Sequence, residues 1–278
     1  MRNLMMFKPL ENPQLRVLSL GAGVQSSVLA LMGDRGDFGP KPDCAIFADT
    51  GWEPKGVYEH LEWLKSQLSY PVHIVSAGNI LDDLINEDGE RKRVAGPPFF
   101  TKNGGMGRRQ CTREYKIDPI RKKERELIGL KPRQRGPKEP VVEVWIGISM
   151  DEIQRIKESR DAWAHNRWPL IESRMTRSDC KRWFAEHYTG RDLPRSACIG
   201  CPYHDNDEWR HMRDNDPESW QQAIAFDASL RSGGMRNKME HEEYVHRSLI
   251  PLSEVDLSTP ADHGQLSFLD ECDGMCGL

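Results

Sequence analysis

The chain has 278 residues, 29% of them charged, and a formal net charge of −4. That is enough to bury a sizeable core with an ordinary soluble surface, and no apolar run approaches the roughly 20 residues that span a bilayer, which argues against membrane insertion. Met1 to Arg16 is interrupted by Lys8, Glu11 and Pro13 and lacks the apolar stretch of a secretory signal, so a cytoplasmic location is expected. In that reducing compartment, seven cysteines including Cys198-x-x-Cys201 point to metal, cluster or redox roles rather than a disulfide framework.

In chain order, Leu15 to Leu20 is a short apolar run ending in Gly21-Ala-Gly23, with Val24, Val28, Leu31 and Met32 following at helical spacing. This predicts strand, glycine turn, helix. A second strand, Cys44 to Ala48, runs into Asp49-Thr50-Gly51, and Val57, Leu61, Leu64 and Leu68 mark one face of the next helix. Val72 to Val75 and Val141 to Ile146 are further strand candidates. Strands alternating with helices imply right-handed crossovers and a parallel sheet covered on both faces, with ligands outside the carboxyl ends of its strands. The stretch from Gly89 to Gly107, rich in Gly, Pro, Lys and Arg, suggests a mobile loop over that end. From Arg177 the pattern turns helical, with Cys180, Trp183, Phe184 and His187 on one face. The expected organisation is an α/β domain at 1–172 with a doubly wound parallel sheet, a helical cysteine-bearing extension at 173–252, and a polar tail at 253–278.

The turn from Ser19 through Gly21, Ala22, Gly23, Gln25, Ser26 and Ser27 has what phosphate binding needs. Small residues let backbone N–H groups approach an anion at a helix N-terminus, and the two serines add hydroxyls. A tight turn without ligand is the alternative, and no Gly-Lys-Ser/Thr follows to make a Walker A loop. Joined to Phe47-Ala-Asp49-Thr50-Gly51, Cys111 to Pro119, Trp145-Ile-Gly147 to Glu152 with Arg155, Trp168-Pro-Leu170 and Thr176 to Trp183, the turn resembles the modified PP-loop of the phosphoadenosine-phosphosulfate (PAPS) reductase family. These motifs occur in that family's order.

The resemblance implies an adenine nucleotide alpha hydrolase-like fold of the PP-loop ATP pyrophosphatases. Ser19, Gly21, Ala22, Gly23, Gln25, Ser26, Asp49, Thr50, Gly51, Gly147 and Arg155 are then expected to bind ATP or a related nucleotide, with Mg. Two positions depart from the pattern: Gln25 stands where the PP-loop consensus is acidic, and Ser149 where relatives often carry Arg. Arg108, Arg109, Arg113 and Lys116 are candidates for the missing cationic clamp, Arg109 and Lys116 as catalytic residues. A solvated basic face is the alternative.

Cys198-Ile-Gly-Cys201-Pro202 places two thiolates at the spacing of one metal or cluster site. Resemblance to cluster-bearing reductases, and to the PAPS-reductase-like subunits of DNA phosphorothioation systems, implies a 4Fe-4S cluster on Cys111, Cys198 and Cys201, with Cys180 as fourth ligand or an open iron in its place. Zinc on the same thiolates, no metal at all, or Cys180 as a buried inert thiol are the rivals. Cys44 is expected in the core. The ending Glu271 to Leu278 resembles the catalytic tail of PAPS reductases, which would make Cys276 a sulfur carrier and Cys272 its resolving partner.

The leading expectation is ATP-dependent sulfur transfer to an adenylated acceptor. The acceptor could be nucleic acid met by the basic stretch Arg108 to Lys138, and a sulfur donor or a thioredoxin-like protein is a further expected partner. Sulfonucleotide reduction and a non-catalytic, DNA-associated nucleotide-binding subunit are the alternatives. Gln265 to Leu269 resembles the short peptide that replication partners insert into the sliding clamp.

Overall fold

The computed structural model describes residues 8–93, 96–232, 241–259 and 262. Its strands are β1 (Leu15–Leu20), β2 (Cys44–Asp49), β3 (Val72–Ser76), β4 (Phe100–Thr101), β5 (Val142–Ile146), β6 (Ala164–Arg167) and β7 (Glu243–Tyr244). Its α-helices are α1 (Val24–Arg35), α2 (Lys55–Gln67), α3 (Ile80–Leu84), α4 (Asp118–Leu127), α5 (Pro169–Glu172), α6 (Arg177–His187), α7 (Asn206–Asn215) and α8 (Pro217–Ser229). A π-helical turn, Thr112–Ile117, leads into α4, where Pro119 has no N–H to offer the turn before it.

The chain divides into two compact units. The first comprises Met1–Asp49, Lys55–Ser76 and Ile117–Ser196; the second comprises Thr50–Pro54, Ala77–Lys116 and Ala197–Leu278. This partition differs from the expected boundary at 172, because α6 packs with the sheet-bearing unit and two earlier segments, Thr50–Pro54 and Ala77–Lys116, belong with the C-terminal part.

The first unit is a five-stranded sheet in the order β3-β2-β1-β5-β6, every pair parallel. β2 is almost wholly buried and β5 fully so, which is why β2 reads as an apolar run up to Asp49 and β5 as one interrupted only by Glu143. The order reverses between β1 and β5, so the crevice beyond their carboxyl ends is the topological switch point where such sheets bind ligands. Gly33 lies inside α1, where glycine is about 1 kcal/mol worse than alanine. A Cβ there would stand 2.9 Å from the Trp145 ring, so the missing side chain lets the helix settle on the sheet. Glu143, buried in β5, is held by Arg16 at 3.3 Å, Arg167 at 3.6 Å and the Trp145 indole N–H at 2.8 Å, which is how a charge survives in a central strand.

The second unit has its own core of Trp52, Phe99, Trp209, Trp220 and Phe226. Asn79 caps α3 by accepting from the Leu81 and Asp82 N–H groups, and Asp205 with Glu208 forms a capping box on α7. The segment expected to be a mobile loop is partly built into this unit. Phe99 is 1% exposed, β4 pairs antiparallel with β7, and the Arg91 guanidinium forms a buried ion pair with Glu243.

Among the described residues, no helix is long and apolar enough to cross a membrane.

Candidate functional site

In the first unit, β1 delivers the chain into the glycine turn and α1 leaves it. Ala22 takes a left-handed φ of 55°, and its side chain is fully buried, which fixes the turn. The Ser26 hydroxyl accepts from the Gly21 N–H at 3.2 Å and the Gly23 N–H at 3.3 Å. Gly23 is the N-cap of α1, and a Cβ there would meet Ser196 at 3.3 Å. Gly147, just past β5, approaches closer still: an added Cβ would lie 2.9 Å from both N and Cα of Ser26. Glycines at 23 and 147 thus let neighbouring backbone approach closely at the start of α1, where the first-turn amides and the helix dipole favour an anion.

Ser27 does not contribute its hydroxyl to this turn. It is fully buried, with its Oγ 3.0 Å from Nε2 of His60, whose pKa burial drives down to about 4, so the pair is neutral and structural. Gln25 and Ser149, the two departures from the family pattern, meet each other: the Gln25 amide donates to the Ser149 hydroxyl at 3.3 Å. The Arg177 guanidinium, at the start of α6, donates to Oε1 of the Gln25 side chain at 3.4 Å. Asp49 ends β2 and accepts from the Tyr58 hydroxyl at 2.8 Å, while Arg155 pairs with Glu152.

In the second unit, Cys111, Cys198 and Cys201 line one cavity with Thr50, Arg109 and Lys116, against Pro97, Pro98 and Tyr203. The Cys198–Cys201 turn is set by backbone bonds, from Ile199 N–H to the Trp52 carbonyl at 2.9 Å and from Cys201 N–H to the Cys198 carbonyl at 3.0 Å. His204 Nε2 lies 3.0 Å from the same Cys198 carbonyl. Gly200 is dictated by packing, since a Cβ would stand 2.3 Å from the Trp52 ring and 2.6 Å from that of Phe226. The Thr50 hydroxyl lies 3.3 Å from the Cys198 sulfur. Glu53, its side chain 1% exposed, faces Cys198 Sγ at 3.9 Å and accepts from Lys116 Nζ at 3.4 Å. Burial, and next the Glu53 carboxylate, push the Cys198 thiol up to about 12, while Lys116 and the Thr50 hydrogen bond pull the other way. A thiol held protonated in this way releases its proton when a metal takes the sulfur. The Arg109 guanidinium lies over the Tyr203 ring, 5.2 Å from its centroid.

Three of the four expected ligands are therefore brought to one cavity, and Cys180 is not among them. It is fully buried in the apolar core of the first unit, which also contains Phe184, and burial raises its thiol to about 12. It reads as the buried inert thiol, as does Cys44 inside β2. Among the described residues, no three His, Cys, Asp or Glu side chains stand in the geometry of a single metal ion. Tetrahedral zinc needs thiolates about 3.8 Å apart, from Zn–S bonds of about 2.3 Å, whereas a cluster spreads its cysteines over separate irons. Soft thiol donors on one cavity fit a cluster in donor chemistry.

Thr50 and Lys116, expected at the nucleotide, border the cysteine cavity. Gly51 has φ 69° and abuts Asn79, within the same unit. Of the basic stretch, Arg121 and Lys123 are paired with Glu124 and Glu126 along α4, which leaves less free charge there than the sequence suggests. Cys272, Cys276 and Gln265 to Leu269 lie outside the described residues. Glu53 escaped the sequence reading because an acid beside a proline turn has no periodicity, and Arg177 because it looked like an ordinary first-turn residue.

The architecture is a mixed α/β fold with a parallel five-stranded sheet. No family model and no curated protein matches the chain. Among solved structures it is similar to phosphoadenylyl-sulfate (PAPS) reductase from Candida auris, at 14% identity and TM-score 0.41 over 67% of this chain and 76% of that one. It is also similar to U34-tRNA thiolase NcsA from Methanococcus maripaludis with its 4Fe-4S cluster, at 15% identity and TM-score 0.38 over 86% and 77%.

Proposed function

We propose that the protein is a PP-loop ATP pyrophosphatase that transfers sulfur to an adenylated acceptor, with a 4Fe-4S cluster held by Cys111, Cys198 and Cys201. The observation that carries it is the convergence of these three thiols with Arg109 and Lys116 on one cavity, in a chain that also builds an anion-ready glycine turn at the switch point of its sheet.

ATP would lay its phosphates on the Gly21–Ser26 amides. An acceptor oxygen attacks the α-phosphorus, the α–β bridging bond breaks, and pyrophosphate leaves with the electron pair. A sulfide-level sulfur then displaces AMP from the acceptor carbon, forming the carbon–sulfur bond. The cluster, when bound, would supply thiolate-ligated iron with one position not taken by cysteine. On the protein side, Lys116 and Arg109 place positive charge at the cavity, and Glu53 with Thr50 holds the Lys116 ammonium and the Cys198 sulfur in place. Cys276 and Cys272 remain candidates to carry and resolve sulfur, nucleic acid remains the candidate acceptor, and the clamp-like peptide is a separate proposal.

The test is pyrophosphate release from ATP by anaerobically prepared protein, against sulfite release from PAPS with thioredoxin. Acceptor-dependent pyrophosphate without sulfite is the expected result. Sulfite release would establish the reductase instead, and tight nucleotide binding without turnover would leave an accessory subunit.

A further inference from the structure

We infer that Arg177 supplies the side-chain cation that grips the nucleotide's phosphates at the Gly21–Ser26 turn. The inference rests on the nucleotide reading above and adds to it a residue that the sequence motifs did not assign. The turn from Ser19 to Ser27 contains no Lys or Arg. Its amides and helix dipole amount to about half a positive charge, against the three to four negative charges of a triphosphate, so a nearby guanidinium is needed to balance the ligand.

Arg177 meets that need on three counts. Its Nη1 is already seated on the turn, 3.4 Å from Oε1 of Gln25, and the Gln25 side chain is fixed in turn by the hydrogen bond its Nε2 donates to the Ser149 hydroxyl at 3.3 Å. Its Nε is buried and has no hydrogen-bond partner, an unmet donor of the kind that native proteins rarely leave without a ligand or water. Its backbone is pinned, because its N–H donates to the Asp151 carboxylate at 3.1 and 3.3 Å and Thr176 with Asp179 forms the capping box of α6.

The neutral Gln25 also acquires a purpose. A carboxylate at this position would pair with Arg177 and cancel its charge, whereas the amide oxygen orients the guanidinium and leaves the charge for the phosphates. Ser149, fully buried, is too small to compete and serves to hold the amide.

The experiment measures the affinity of the full chain for a non-hydrolysable ATP analogue and for adenosine, in wild type, Arg177→Gln, Arg177→Lys and Gly23→Val. Losing one charge-assisted contact predicts at least about tenfold weaker binding of the analogue in Arg177→Gln. Adenosine should bind as before, Arg177→Lys should recover part of the loss, and the salt dependence of analogue binding should flatten. Equal loss for adenosine and analogue would mean a merely structural role and overturns the inference. If Arg177→Gln binds the analogue like wild type while Gly23→Val does not, the turn binds phosphate and Arg177 has no part in it. If folded wild type binds neither compound, the nucleotide reading itself fails and takes this inference with it. Should Arg177→Gln not fold, the comparison passes to Arg177→Met, which also removes the charge, and for which unchanged analogue affinity and salt dependence would overturn the inference.

Discussion

Glu124 sits fully buried on α4 with Arg121 as its ion-pair partner, and one of its carboxylate oxygens has no hydrogen bond. Burial, partly offset by Arg121, raises its pKa from 4.5 to about 7. An acid with a raised folded pKa contributes stability that is fully present below about pH 4.5 and lost as the pH climbs through about 7. His60 acts in the opposite sense: its pKa is lowered from 6.5 to about 4, so its contribution is lost as the pH falls across that interval. Glu124→Gln should therefore remove a downward slope in stability between pH 4.5 and 7, an effect on the order of 3 kcal/mol at most. Denaturant midpoints measured at both pH values would show it, and an unchanged slope would contradict the buried-acid account. Among the thiols, Cys198→Ala and Cys201→Ala should lose iron and visible absorbance, while Cys180→Ala should keep both and lose only packing. An iron-free Cys180→Ala protein that remains folded would return Cys180 to the ligand set.

At the scale of elements, the two close glycine approaches separate nucleotide binding from cysteine geometry. Gly147→Ala drives a Cβ to 2.9 Å from the Ser26 backbone, which has no flexible end to give way, so nucleotide affinity should fall tenfold or more while iron content stays. Gly200→Ala presses on Trp52 and Phe226 in the second unit's core, and should lower stability by about 1–3 kcal/mol and empty the cluster site while nucleotide binding persists. Calorimetric titration of both variants, with iron analysis alongside, checks the separation, and a shared loss in either variant would count against it. β1, β2, β3, β5, the glycine turn and α6 were legible because their signals are local, whereas β6, Ala-His-Asn-Arg, carries no apolar run. Trp52, which fixes Gly200 and the Ile199 amide, and the π-turn after Cys111 were not, because each depends on partners far away in sequence or on a single proline.

For the whole molecule, the sequence order of the motifs conveys the sheet well and the division into units poorly. Thr50 and Cys198 touch across 148 positions, and the second unit is assembled from three separated segments, which no periodicity announces. The motif Asp49-Thr50-Gly51, read as one nucleotide feature, is split by that division, with Asp49 in the first unit and Thr50 on the cysteine cavity of the second. The basic stretch likewise looked continuous, yet α4 neutralises Arg121 and Lys123 with acids three residues on. We propose that the three-thiol cavity holds a cluster for sulfur chemistry. It is tested most directly by iron, acid-labile sulfide and zinc analysis of the full chain purified without oxygen. The account predicts about four irons and four sulfides per chain, lost together in Cys198→Ala. Stoichiometric zinc without iron, or a folded protein free of metal, would contradict it.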